Sequence, residues 1–185
     1  MGWMIGFVLG AAFGYAVCAI YSAEKDNIER GDCMHTIEWN KDLIKRYPYL
    51  LPRNIFTDEV SEDYDYTWTR LDEIEDGWQD LFLKMCEEIR EPLIKADYLD
   101  DFRFSQLKEK YGVMRCYCFG APKEVHDIIN KYEQESKRTC IQCGRNAAKI
   151  STGWISPYCL SCAKVLSEHM DFMDINEWYG GNEDV

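Results

Sequence analysis

The chain has 185 residues, 46% of them hydrophobic, and a formal net charge of −12. That length holds one ordinary domain with appendages, the apolar content is too high for a disordered chain, and the acidic balance opposes non-specific attraction of the whole molecule to nucleic acid or anionic lipid. Nine cysteines without a small-domain disulfide pattern point to a reducing compartment for the folded part.

Residues 1–23 carry no charged side chain, and Trp3, Met4, Ile5, Phe7, Val8, Leu9, Phe13, Val17 and Ile20 predict a transmembrane helix, long enough to cross about 30 Å of hydrocarbon. A secretory signal peptide is the rival reading, but its basic n-region is missing. Gly2, Gly6, Gly10 and Gly14 recur at every fourth position and leave one helix face bare, a groove for helix packing and a route to homo-oligomers. Residues 24–36 form a polar linker in which Lys25 and Arg30 place the C-terminal part in the cytoplasm. Met34 offers an internal start for a product without the apolar segment.

Residues 37–135 read as a helical or α+β region. Trp39, Leu43, Ile44 and Tyr47 predict a short amphipathic helix, and Pro48 and Pro52 end it in an extended apolar connector. From Asp58 to Asp76 nine acids face one base, Arg70, with Tyr64, Tyr66 and Trp68 interleaved. This window reads as a solvated loop whose aromatics dock on the core. Two alternatives stand beside that reading: a divalent-cation site, although the ordered spacing of a calcium loop is absent, and an acidic surface imitating nucleic acid toward a basic partner.

Trp78, Leu81, Phe82, Met85, Ile89 and Leu93 predict a helix capped by Asp76, with Pro92 limiting its regular part to residues 77–90. Glu87, Glu88 and Glu91 fall on its polar side, a solvated face rather than acid–base machinery because no histidine or nucleophile stands near in sequence. Cys86 reads as a small buried hydrophobe. Val113 to Phe119 reads as a strand, with Cys116 and Cys118 on one face and without the turn that metal-binding pairs use. Pro122 opens a helix whose buried stripe is Val125, Ile128, Ile129 and Tyr132, with His126 off the stripe.

The most specific signal is Cys140, Cys143, Cys159 and Cys162, spaced C-x2-C-x15-C-x2-C. Two residues between paired cysteines let both sulfurs turn toward one point, and four thiolates suit a structural zinc ion (Zn2+) with a closed coordination shell. Residues 136–173 form the expected zinc module, with a helix from Leu160 to Met173 and a treble-clef or zinc-ribbon-like order. His169 is a reserve ligand only. Between Ser136 and Lys164 there are five basic residues and no acids. Lys137, Arg138, Arg145 and Lys149, with Trp154 and Tyr158 for stacking, make nucleic-acid contact the alternative to a compact ribbon whose Trp154 covers the metal. Residues 174–185 are an acidic tail expected to fray. The fold class is α+β: the transmembrane helix, then a mixed domain with one small antiparallel sheet containing residues 113–119 and the zinc hairpin.

Three stretches carry a resemblance: Gln106-Leu-Lys-Glu-Lys-Tyr-Gly-Val-Met-Arg-Cys-Tyr117, the helix end Lys131-Tyr-Glu-Gln-Glu-Ser136, and Cys140-Ile-Gln-Cys-Gly144 followed by Gly153-Trp-Ile-Ser-Pro-Tyr-Cys159. Residues 40 to 165 resemble uncharacterised small proteins of bacteriophages and prophages, and residues 1 to 30 resemble short glycine-rich single-span proteins from the same contexts. The resemblance implies an accessory phage or prophage protein and brings no activity or catalytic residue. The anchor, the closed metal site and the missing catalytic constellation predict a membrane-tethered, zinc-stabilised interaction protein with a protein partner, acting on a host or defence component. The chain itself has no phosphate-cradling glycine loop, no serine–histidine–aspartate grouping and no open-site metal motif, so it points to binding rather than catalysis.

Overall fold

Thr36 starts the first helix because its side chain accepts a hydrogen bond from the Trp39 amide, occupying an amide that the first turn would otherwise leave bare. The computed structural model describes residues 36–54 and 56–180. Helix α1 (Ile37–Arg46) buries Leu43 and Asn40. The expected extended connector is instead a 3-10 turn, Pro48–Leu50, with Tyr49 and Leu50 wholly buried. Proline pre-sets the turn, and the Tyr49 hydroxyl donates to the Cys86 carbonyl at 2.7 Å.

Residues 51–54 and 56–69 are coil and turns, and two further 3-10 turns follow, Arg70–Glu73 and Asp76–Trp78. Thr69 and Asp72 cap the first of these reciprocally. Helix α2 (Gln79–Lys95) follows, with every member of the predicted stripe buried. It runs through Pro92, which the sequence reading placed beyond its regular part. Asp76 lies within the preceding 3-10 turn rather than capping α2.

Strands β1 (Phe104–Lys110) and β2 (Val113–Cys118) pair antiparallel, with Lys110 opposite Val113. Tyr111 and Gly112, both at positive φ, make the two-residue turn that matches the twist of a hairpin. The far edge of β2 is satisfied by helix α3 (Lys123–Ser136): the Met114 amide donates to Ser136 Oγ at 3.0 Å, and the Cys116 amide to Glu133 Oε1 at 2.8 Å. Phe82, Phe102, Phe104 and Tyr49 meet between hairpin and helices, with ring centroids 5.1 to 5.7 Å apart.

The C-terminal part holds a second, separate sheet in the order β4-β3-β5, from β3 (Lys149–Ser151), β4 (Pro157–Tyr158) and β5 (Phe172–Asp174). The single sheet expected from sequence is therefore two. Helix α4 (Leu160–Leu166) stops short of Met173, because residues 172–174 pair with β3 instead. Helix α5 (Ile175–Gly180) begins where fraying was expected, anchored by buried Ile175. Residues 181–185 lie outside the described residues.

The α+β expectation holds for the domain, but its membrane component is corrected. Among the described residues no helix is long and apolar enough to cross a membrane. The longest of them, α2, has 17 residues, reaching roughly 25 Å against about 30 Å of hydrocarbon. It also carries Glu87, Glu88, Arg90 and Glu91, which hydrocarbon would penalise. The predicted single-pass, membrane-associated placement therefore has no support in this fold. The segment on which it rested, residues 1–23 with Gly2, Gly6, Gly10 and Gly14, lies outside the described residues, as does Met34.

Candidate metal centre

Local geometry brings each cysteine pair to a point. In the first knuckle the Cys140 amide donates to the Arg145 carbonyl at 2.7 Å, and the Gly144 amide donates back to the Cys140 carbonyl at 3.0 Å. Gly144 sits at φ +73°, where a side chain would strain the turn. In the second pair Cys159 precedes α4, and its sulfur accepts from the Cys162 amide at 3.5 Å. Helix-start amides of this kind favour thiolate.

The four sulfurs all lie within 4.8 Å of one another. Cys143 Sγ is 3.6 Å from Cys159 Sγ and 3.7 Å from Cys162 Sγ. Disulfides need about 2.05 Å, whereas a tetrahedron with metal–sulfur distances of about 2.3 Å has edges of about 3.8 Å. The cluster therefore has the dimensions of a four-thiolate metal site, and these cysteines could hold a metal ion.

Electrostatics support the same reading. Burial pushes the Cys143 thiol up, but hydrogen bonds outweigh it and bring the group down to about 6, led by the one from Arg145 Nε at 3.3 Å. Burial pushes Cys140 up, and burial with neighbouring sulfurs pushes Cys162 up. Four thiolates this close repel one another, so the set carries its full charge only around a cation.

The site is built into the main core. Cys140, Ile141, Tyr158, Cys159 and Ala163 share one apolar cluster with the stripe of α2. Gly77 makes this contact: a Cβ there would lie 2.1 Å from the Cys140 carbonyl oxygen, and its own amide donates to the Ile141 carbonyl at 2.9 Å. The Trp78 indole donates to the Thr139 carbonyl at 2.9 Å. Sequence reasoning passed over Gly77, whose only local signal is a glycine beside a tryptophan at a helix start.

The basic residues of this region are dispersed among other contacts. Arg138 donates to Asn176 Oδ1 and lies over the Tyr179 ring, where Lys137 also sits. Arg145 bonds Cys143 Sγ, and Lys149 lies 3.8 Å from Asp174. Trp154 is 78% exposed, and its indole donates to Glu109 on β1. Tyr158, expected as a stacking platform, is buried edge-on against Phe172.

The other expected ligand types lie elsewhere. Cys86 and Cys116 are buried, and burial raises both thiols. Cys118 is half-buried, raised by burial to about 11, with its sulfur 3.8 Å from His126 Nδ1. His169 is exposed. Among the described residues the four cysteines are the one cluster of metal-ligating side chains, and the acidic window forms none. There Asp58 pairs with Arg53 and Arg103, Glu73 pairs with Arg70, and Asp65 accepts from Thr67. The Tyr64 hydroxyl bonds the Trp68 carbonyl, and Asn40 reaches from α1 to the Tyr66 carbonyl at 2.7 Å.

Fold and site together define a class: an α+β domain whose two C-terminal cysteine pairs form a four-sulfur cluster packed into its main core. No protein-family model, curated protein or solved structure matches the chain.

Proposed function

We propose that the domain is a zinc-stabilised interaction protein, an accessory protein of phage or prophage in keeping with the resemblance of residues 40–165. The observation that carries this reading is the convergence of the Cys140, Cys143, Cys159 and Cys162 sulfurs within 4.8 Å of one another. Zinc suits a shell of four thiolates, and four protein ligands fill it, so the ion holds the fold rather than activating water. The partner surface favoured here is the acidic one. Glu59, Glu62, Asp63 and Asp65 are exposed beside exposed Trp68, a pattern suited to a basic protein. Nucleic-acid contact through Lys137, Arg138, Arg145, Lys149 and Trp154 is the weaker reading, because those side chains are spent on Tyr179, Asn176, Cys143, Asp174 and Glu109.

Elemental analysis of the purified chain is expected to give one zinc per molecule, and cobalt substitution the strong visible absorption of tetrahedral thiolate ligation. Retention of a full equivalent of metal by the Cys143→Ser, Cys162→Ser double variant would sink the assignment. The partner reading is checked by charge reversal at Glu59, Glu62 and Asp63, which is expected to abolish salt-sensitive capture of a basic partner while leaving metal content unchanged.

A further inference from the structure

Arg70 is the single base of the acidic window, and the fold buries it. It lines a cavity of about 200 Å³ together with Arg53, Arg103, Tyr49, Phe104 and Phe119. Arg70 is only 9% exposed, and it donates Nη2 to Glu73 Oε2 at 3.0 Å. Its buried Nε, and that of Arg53, have no hydrogen-bond partner among the described residues. A buried guanidinium N–H without an acceptor is costly, and two beside one cavity call for an acceptor that the described residues do not supply.

Two carboxylates, Asp58 and Asp101, also line the space, and with Glu73 on Arg70 they balance the three guanidinium groups. Asp58 is already engaged by Arg103 Nε at 3.1 Å and by Arg53 at 3.6 Å. What favours an acceptor is therefore the two unpartnered Nε groups of Arg53 and Arg70 rather than an excess of positive charge. The rest of the cavity wall is mixed: Asn54 and Ser105 add polar groups, and of the aromatic side chains Tyr49 and Phe104 are buried while Phe119 is 79% exposed. The volume lies below the roughly 300–1,000 Å³ of ordinary ligand pockets, so the occupant is small.

We propose that this cavity binds a small organic oxyanion, a carboxylate or phosphate monoester carried on a flat apolar group. Arg53 and Arg70 receive the oxyanion, as planar guanidinium groups do, and Phe119 covers the apolar part. This site is independent of the metal reading.

Calorimetric titration of the full chain with benzoate, phenyl phosphate, inorganic phosphate and neutral benzamide tests it. At least one aryl anion is expected to bind at submillimolar concentration and more tightly than benzamide, and which one binds distinguishes carboxylate from phosphate. Arg53→Gln and Arg70→Gln should each weaken that binding about tenfold, the loss of one charge-assisted donor group. Phe119→Ala should weaken the aryl anion and leave inorganic phosphate unaffected. Should Arg70→Gln fail to fold, Arg53→Gln and Arg103→Gln carry the test, since both side chains are partly exposed. Absence of binding by either aryl anion at millimolar concentration, equal binding of benzamide, or full affinity in Arg53→Gln overturns the proposal.

Discussion

Gly77 shows how much one missing side chain can decide. The first cysteine knuckle rests directly on its Cα, and any Cβ would meet backbone carbonyl atoms of Cys140 and Ile141, neither of which can swing aside as a side-chain tip could. Gly77→Ala is therefore expected to cost about 3 kcal/mol, the upper part of the usual overpacking range. It should also weaken metal retention, because the knuckle can relieve the clash only by moving Cys140. Urea unfolding with and without added zinc checks both. An unchanged midpoint would show that the knuckle floats free of α2. Glu133 is a second case at this scale: a buried carboxylate in a helix reads from sequence as a surface acid, yet it accepts from the Cys116 amide and from Arg115 Nη1, both at 2.8 Å.

Between elements, the polar side of α2 is the solvated face expected, with Glu87 and Glu91 exposed, and it also carries clasps. Glu87 accepts from Arg46 at 2.7 Å and from the Tyr47 hydroxyl at 2.6 Å, tying α1 to α2. Glu88 accepts from Lys131 and from the Tyr132 hydroxyl, both at 2.8 Å, tying α3 to α2. Burial by itself would raise Glu87, but hydrogen bonds from Tyr47 and Arg46 outweigh it and hold the group below the ordinary carboxylate value. A carboxyl depressed in the fold contributes stability that is present above its unfolded value, about 4.3. That contribution is lost as pH falls through the folded value. The wild type is thus expected to lose stability relative to Glu87→Gln as the pH drops below about 4.3, and parallel stability–pH curves for the two proteins would refute the clasp. Glu73 and Glu75, raised mainly by burial, act in the opposite sense, so the difference between the two proteins is the quantity to read.

Element legibility followed the range of the interactions. The stripe of α2 and the stripe of α3 repeat within a few residues and were readable. The partner of β2 was not assigned, although Tyr111-Gly112 between two alternating runs was the available signal. The end of α4 was misplaced because residues 172–174 look like a helical continuation until β3 offers them a strand to pair with.

Across the described residues, the four-cysteine site and the aromatic core share one hydrophobic cluster. Chelation is accordingly expected to lower the thermal midpoint of the entire described domain in one cooperative transition, costing several kcal/mol, rather than to melt the C-terminal third alone. Coincident loss of near-UV and far-UV circular dichroism checks this; two separate transitions would mean that residues 136–173 fold as an independent module.

By itself the sequence determined which four cysteines cluster, since two pairs of fixed short spacing can be recognised without knowing the fold. It also determined the two long helices through their apolar period. Only the tertiary structure decided where the cluster docks, which acids became clasps, and that Arg53, Arg70 and Arg103 converge on one cavity. Those three arginines stand up to fifty positions apart in the chain, and no periodicity spans such a separation. Convergence of that kind is set by which apolar faces bury one another, which a single sequence does not encode locally.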